Sequence, residues 1–191
     1  MNSAIRNPQS AFGKRYAEIA ARLRVPSGFA LLVLYALFAR PAPWRAAAGA
    51  AIALVGILLR GLAAGHLDKN RALATGGPYA HTRNPLYIGT ALVAAGFALA
   101  GGLLWMGALF ALFLLALYLP VVSEEEAHLA ELFPEFRDYA ARVPRLWPAV
   151  RPRWESSGRF CWALYRQNQE YNALVGYLLG LVLLAGKLLA R

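Results

Sequence analysis

Two short polar clusters hold the residue types that can bind a charged small molecule. The first, residues 76–89 (GGPYAHTRNPLYIG), sets Tyr79 and Tyr87 around an Asn84-Pro85 pair at the head of an apolar run. The second, Ser123-Glu124-Glu125-Glu126, closes another apolar run. Pro85 suits a first helical turn, where its missing N–H costs nothing, and Asn84 before it reads as an N-cap. Such a helix opening offers free N–H groups and a positive dipole end to a carboxylate or similar anion. The tyrosines add apolar walls and hydroxyls. Glu125 and its neighbours can accept hydrogen bonds from hydroxyls or an amino group, or balance a bound cation. They equally suit a plain helix start, with Ser123 as N-cap, Glu126 as its capping-box partner and acidic charge complementing the dipole. Arg145, beside Pro144, is fitted to hold a carboxylate or phosphate. If the acceptor of a reaction needs a general base, Glu126 and His81 are the candidates.

The elements that must position these groups are apolar. The 191 residues are 59% hydrophobic and 16% charged, against ~45–50% apolar and ~25% charged for soluble domains. The composition is that of an all-α, polytopic integral membrane protein. Spans are expected at 27–40, 44–64, 86–101, 103–122 and 171–190, with the third and fourth forming a hairpin at Gly101-Gly102. The first is short for a bilayer that takes ~20 helical residues to cross. Ala48, Gly49, Ala51, Ala53 and Gly56 give the second span a small-residue face for close helix contact. Residues 11–25 are basic and amphipathic, an expected interfacial helix within a 1–26 N-terminal segment. Residues 123–142 are expected as one helix leaving the membrane, and 143–152, with Pro144, Pro148 and Pro152, as irregular chain. The whole chain reads as one membrane domain, with 60–150 as its core and 153–191 as linker and final span.

Charge sets the expected orientation. All Lys and Arg residues except Arg40, Arg45, Lys187 and Arg191 fall on one side of that layout, which predicts a cytoplasmic N-terminus and both polar clusters at the cytoplasmic face. Net charge is +10. The basic residues lie between apolar spans rather than on one soluble face, so membrane lipid headgroups are the expected partner, not nucleic acid. One cysteine, Cys161, excludes a disulfide framework, and no His/Cys/Asp/Glu spacing defines a metal site. A nucleophile elbow, a P-loop and a G-x-G-x-x-G after a strand are all missing. No obligatory protein partner is readable.

Taken in order, Gly77-Pro78-Tyr79, Arg83-Asn84-Pro85-Leu86-Tyr87-Ile88-Gly89, Glu125-Glu126 with Leu129 and Phe133, Tyr139, Val143-Pro144-Arg145 and Pro148 resemble the isoprenylcysteine carboxyl methyltransferase family and its phospholipid methyltransferase relatives. The resemblance covers about residues 60–150. It implies S-adenosylmethionine as methyl donor, held in a membrane-embedded pocket by Arg71, Ala72, Leu73, Ala74, Tyr79, Asn84, Pro85, Leu86, Tyr87 and Glu125, with Glu126 and Arg145 as catalytic candidates and a lipophilic acceptor. Asn84 stands where the family usually has His, and Val121 where eukaryotic members carry a substrate-binding Arg. Two other readings stay open: a nicotinamide-dependent membrane reductase akin to sterol reductases, and a non-enzymatic transporter or assembly protein.

Overall fold

The computed structural model describes residues 30–155 and 158–190, and of residues 113–121 and 124 only the backbone. The expected interfacial stretch 11–25 and the start of the first span lie outside the described residues. Within them, all regular structure is helical: α1 (residues 30–38), α2 (Pro43–Ala64), α3 (Pro85–Gly101), α4 (Leu104–Leu132), α5 (Phe136–Arg142), α6 (Trp162–Gln167) and α7 (Tyr171–Leu189), with a 3-10 turn at Gly77–Ala80. Prolines open two of these helices from their first turns, at Pro43 and Pro85, where a fixed φ is already helical.

α2 and α3 run antiparallel and press backbone to backbone. Gly49 faces Gly96 and Gly56 faces Gly89; a Cβ on Gly56 would lie 2.6 Å from the Gly89 carbonyl oxygen. The small-residue face of α2 therefore serves internal packing. Gly49, Ala53 and Gly56 are buried, whereas Ala48 and Ala51 point outward. Gly102, at φ 68°, ends α3 in the left-handed region and lets Leu103 N–H reach back to the Ala98 carbonyl at 2.8 Å, the turn that glycine permits most readily. α7 lies antiparallel to α2: the Tyr177 hydroxyl donates to the Ala50 carbonyl at 3.1 Å. Phe97 of α3 joins them, its ring 6.1 Å from Tyr177 and 5.9 Å from Tyr35 of α1.

Two sequence expectations fail around α4. Ser123 caps nothing: it sits inside a helix that continues from Leu104 to Leu132, and no acidic residue occupies that helix's first turn. The run Glu-Glu-Glu-Ala-His-Leu-Ala-Glu-Leu is strong helix-forming sequence, and it simply prolongs the apolar helix before it. The expected single helix over 123–142 is split instead. Pro134 disfavours helical φ/ψ at the residue before it; Phe133 turns extended, and α5 starts afresh at Phe136. Phe136, Tyr139 and Val143 then bury themselves against Leu73, Leu129 and Trp154.

Pro43–Ala64 and Tyr171–Leu189 are long and apolar enough to cross a membrane, and Pro85–Gly101 is a shorter apolar helix. Their outward faces carry exposed Leu54, Val55, Leu58, Leu178, Leu179 and Val182. Exposed apolar faces of this extent suit a lipid surrounding rather than water, and suggest association with a membrane. Antiparallel order sets the C-terminal ends of α2 and α4 beside the N-terminal ends of α3 and α7. Arg40, Arg45 and Gly102 lie at the other end of the bundle.

Candidate functional site

The connection between α2 and α3 forms the floor of the polar end. Gly77, at φ +55°, lets the 3-10 turn pass under His66: a Cβ there would lie 2.7 Å from His66 Nε2. His66 Nδ1 in turn contacts the Leu62 carbonyl at 2.8 Å. The irregular 144–153 segment straps this loop from outside. Arg83 N–H bonds the Pro144 carbonyl at 2.9 Å, Ala149 N–H the His81 carbonyl at 2.9 Å, and Arg153 N–H the Ala80 carbonyl at 2.8 Å. Buried Thr82 donates toward the Arg145 carbonyl at 3.2 Å. The Tyr139 hydroxyl donates to the Tyr79 carbonyl at 2.8 Å. Burial pushes both the Tyr79 and Tyr139 phenols up from their ordinary value, so each stays a neutral donor.

Inside this frame lies a cavity of about 550 Å³, within the ~300–1,000 Å³ of small-molecule sites. Ala72, Leu73, Ala74, Tyr79, Asn84, Pro85, Leu86, Tyr87 and Glu125 all line it, as does Glu126. The two polar clusters meet directly: the Tyr87 hydroxyl donates to Glu125 Oε2 at 3.2 Å. Arg71 is exposed and off the wall. Asn84 stands before α3, yet its side chain caps nothing; Nδ2 donates to the Arg145 carbonyl at 3.0 Å and so ties the strap to the helix start.

The catalytic candidates form a layer rather than a pair of open groups. Glu126 lines the cavity but its carboxylate lies between Arg145 Nη2 at 2.8 Å and Arg83 Nη1 at 3.4 Å. Arg145 is not on the wall; its guanidinium also reaches Ser123 Oγ at 2.9 Å. His81 does not line this cavity, which sets it apart from the other base candidate; its Nδ1 donates to the Ala149 carbonyl at 2.8 Å and leaves Nε2 as the basic nitrogen.

Several wall residues escaped the sequence reading. Arg60 is bound bidentately by Glu170 at the head of α7 and also donates to Thr90 of α3. Asn168 Nδ2 donates to the Ala64 and Leu67 carbonyls at 2.9 and 2.8 Å, satisfying acceptors that every helix end leaves open. Asp68 lines the cavity with one buried carboxylate oxygen that has no partner among the described residues. One sequence signal existed: Arg60 is the one charge of the second span away from its first turn, and Glu170 is the acid just ahead of the last span.

The electrostatics discriminate among ligands. Both arginines on the wall, Arg60 and Arg83, face carboxylates. Among the described residues Glu125 has a tyrosine hydroxyl and no ion-pair partner, and Asp68 keeps an unpaired oxygen. The cavity therefore offers Asp68 and Glu125 to cationic groups, and Lys69 with a helix N-terminus to anionic ones. A zwitterion with an extra cationic centre meets both. Among the described residues no group of three or more His, Cys, Asp or Glu side chains is placed to hold a metal.

The family model for phospholipid methyltransferases matches residues 44–135, which spans α2, α3 and α4 and both polar clusters. The cobalt-zinc-cadmium resistance protein CzcN of Cupriavidus metallidurans is 38% identical over 82 residues, 43% of this chain and 38% of that protein. The nickel-cobalt-cadmium resistance protein NccN of Alcaligenes xylosoxydans xylosoxydans is 31% identical over 108 residues, 56% of this chain and 45% of that protein. The chain thus spans less than half the length of these curated relatives. No solved structure matches the sequence.

Proposed function

From a chain whose residues 44–135 carry the phospholipid methyltransferase domain, we propose an integral membrane methyltransferase that uses S-adenosylmethionine to methylate a lipophilic acceptor. The observation that carries the reading is the Tyr87–Glu125 contact: it brings the Asn-Pro helix opening and the glutamate cluster to one cavity of suitable size. When bound, the sulfonium donor supplies an activated methyl group.

This chain's residues do the holding. Asp68 and Glu125 offer carboxylates to the cationic centres and hydroxyls of the donor, and the first turn of α3 and Lys69 face its carboxylate. Tyr79 and Leu73 wall the apolar part. Their contribution to rate is alignment and exclusion of water, since in-line methyl displacement draws mainly on effective molarity. A carboxylate acceptor would need no base. For an amine acceptor Glu126 is one wall carboxylate that could take the proton, with Arg145 and Arg83 positioning it. The acceptor enters from the lipid side, the donor from the cytoplasm, in a layout of about five spans.

The relatives' names connect this domain to cobalt, zinc, cadmium and nickel resistance. For this chain we read that as methylation of a membrane component in a metal-stress setting. Calorimetric titration with S-adenosylhomocysteine and NADPH tests the core of the reading. Saturable binding of the first alone supports it, binding of NADPH alone favours a reductase, and binding of neither favours a non-enzymatic protein. Mass spectrometry of lipid extracts incubated with isotopically labelled donor then identifies the acceptor.

A further inference from the structure

The C-terminal region lies outside the matched domain, yet it supplies part of the cavity wall. Asn168 and Glu170 both line the cavity. Between them Gln169 is held at φ 54°, a left-handed conformation that a non-glycine residue adopts only where its surroundings impose it. That twist lets α6 and α7 turn both flanking side chains inward. Asn168 fixes the end of α2. Glu170, itself buried, takes Arg60 with both oxygens. Arg60 passes the contact to the Thr90 hydroxyl, and Thr90 donates to the Leu86 carbonyl at 2.9 Å. Leu86 stands in the first turn of α3, the turn that faces the cavity.

We infer that the α6–α7 junction completes the methyl-donor site, with Glu170 and Arg60 acting as positioning residues that set the first turn of α3 through Thr90. The inference rests on the proposed donor site and adds a part of the chain that the family match does not reach. A merely structural ion pair would be replaceable by apolar side chains of similar volume, because such replacements commonly keep or raise stability. A positioning pair would not, since apolar side chains cannot hold Thr90.

The test uses the full chain in lipid nanodiscs, with S-adenosylhomocysteine as probe and thermal midpoint as second readout. Glu170→Gln and Thr90→Val are expected to weaken binding about tenfold, and the Arg60→Met/Glu170→Met pair to melt near wild type while binding stays weak. With labelled donor, KM for the donor rises more than kcat falls. Wild-type binding by the double variant, or unchanged binding in both single variants, overturns the inference while leaving the donor site intact. If the double variant does not fold, Thr90→Val decides, because it cuts the link and leaves the ion pair. A wild-type chain that binds no probe overturns the donor site, and this inference with it.

Discussion

Tyr87 in the first turn of α3 donates its hydroxyl to Glu125 of α4 across 3.2 Å. The contact joins two sequence clusters that lie on different helices at one cavity wall. Among the described residues no ion pair engages Glu125, so its carboxylate can turn to a ligand. Replacing it should therefore cost more than replacing the tyrosine. Glu125→Gln is expected to weaken S-adenosylhomocysteine binding by about 10-fold or more, as hydrogen bonds to charged groups are worth ~1.5–3 kcal/mol. Tyr87→Phe, which removes one neutral donor, should weaken it by about 2–10-fold. Isothermal titration measures both; equal affinity in wild type and Glu125→Gln would remove Glu125 from the donor site.

The α2–α3 contact makes a stability prediction that does not depend on function. Gly56 and Gly96 have backbone within van der Waals reach of where a side chain would stand, so Gly56→Leu and Gly96→Leu force the helices apart. Overpacking of this kind costs ~1–3 kcal/mol or more, which for a chain of this size lowers the thermal midpoint by roughly 2–4 °C per kcal/mol. Ala51→Leu makes a similar change on the exposed face of the same helix and should melt within a degree or two of wild type. Equal melting of all three in detergent would mean that the helices do not meet along this glycine seam.

The legible and illegible parts of the chain divide along physical lines. The bounds of α2 and α3 follow from apolar composition met by Pro and Gly, and the start of α7 from an apolar run after polar Asn168-Gln169-Glu170, all local signals. The single α4 does not: Ser123 and Glu126 have the pattern of a capping box, but a helix already running past Leu104 has no open N–H groups there to cap. Pro134 held the true stop. The cavity residues around Tyr79, Asn84–Tyr87 and Glu125 were visible because each cluster is contiguous in sequence. Arg60 with Glu170 was not, since their separation of 110 residues becomes a contact only once α7 packs antiparallel on α2. His81 and Arg145 were read by residue type, and their placement depends on the strap: His81 Nδ1 meets the Ala149 carbonyl, and Arg145, carried by the strap, stands behind Glu126.

The Tyr139–Tyr79 hydrogen bond ties stability to alkaline pH. Burial raises the Tyr139 phenol above its ordinary value of 10.0, so the folded protein holds this proton more tightly than the unfolded chain. Stability from this group is complete below about pH 10 and is lost as pH rises above it. Tyr79, raised for the same reason, acts in the same direction. Tyr139→Phe leaves the Tyr79 carbonyl without its donor and should lower stability by ~1–3 kcal/mol at neutral pH. The same variant should lose stability less steeply between pH 10 and 11.5 than wild type. Thermal melts over that range check it, and parallel slopes would show that Tyr139 is not the titrating group.

Orientation can be read from the lone thiol. Cys161 is exposed, and its N–H bonds the Gly65 carbonyl at 2.8 Å, which sets it at the polar end of the bundle beside the cavity. Lys187 belongs to the last turn of α7, a helix of 19 residues away from that end. With the cavity cytoplasmic, a membrane-impermeant maleimide should leave Cys161 unlabelled in intact cells and label it once the membrane is opened. In a Cys161→Ala background, Lys187→Cys should show the reverse and label in intact cells. Swapped labelling would put the donor site on the outer face, where no cytoplasmic methyl donor reaches it. Labelling of both positions from one side would mean that α7 does not cross the bilayer, and α2, which it accompanies antiparallel through Tyr177 and Ala50, would then have to be reconsidered as a span as well.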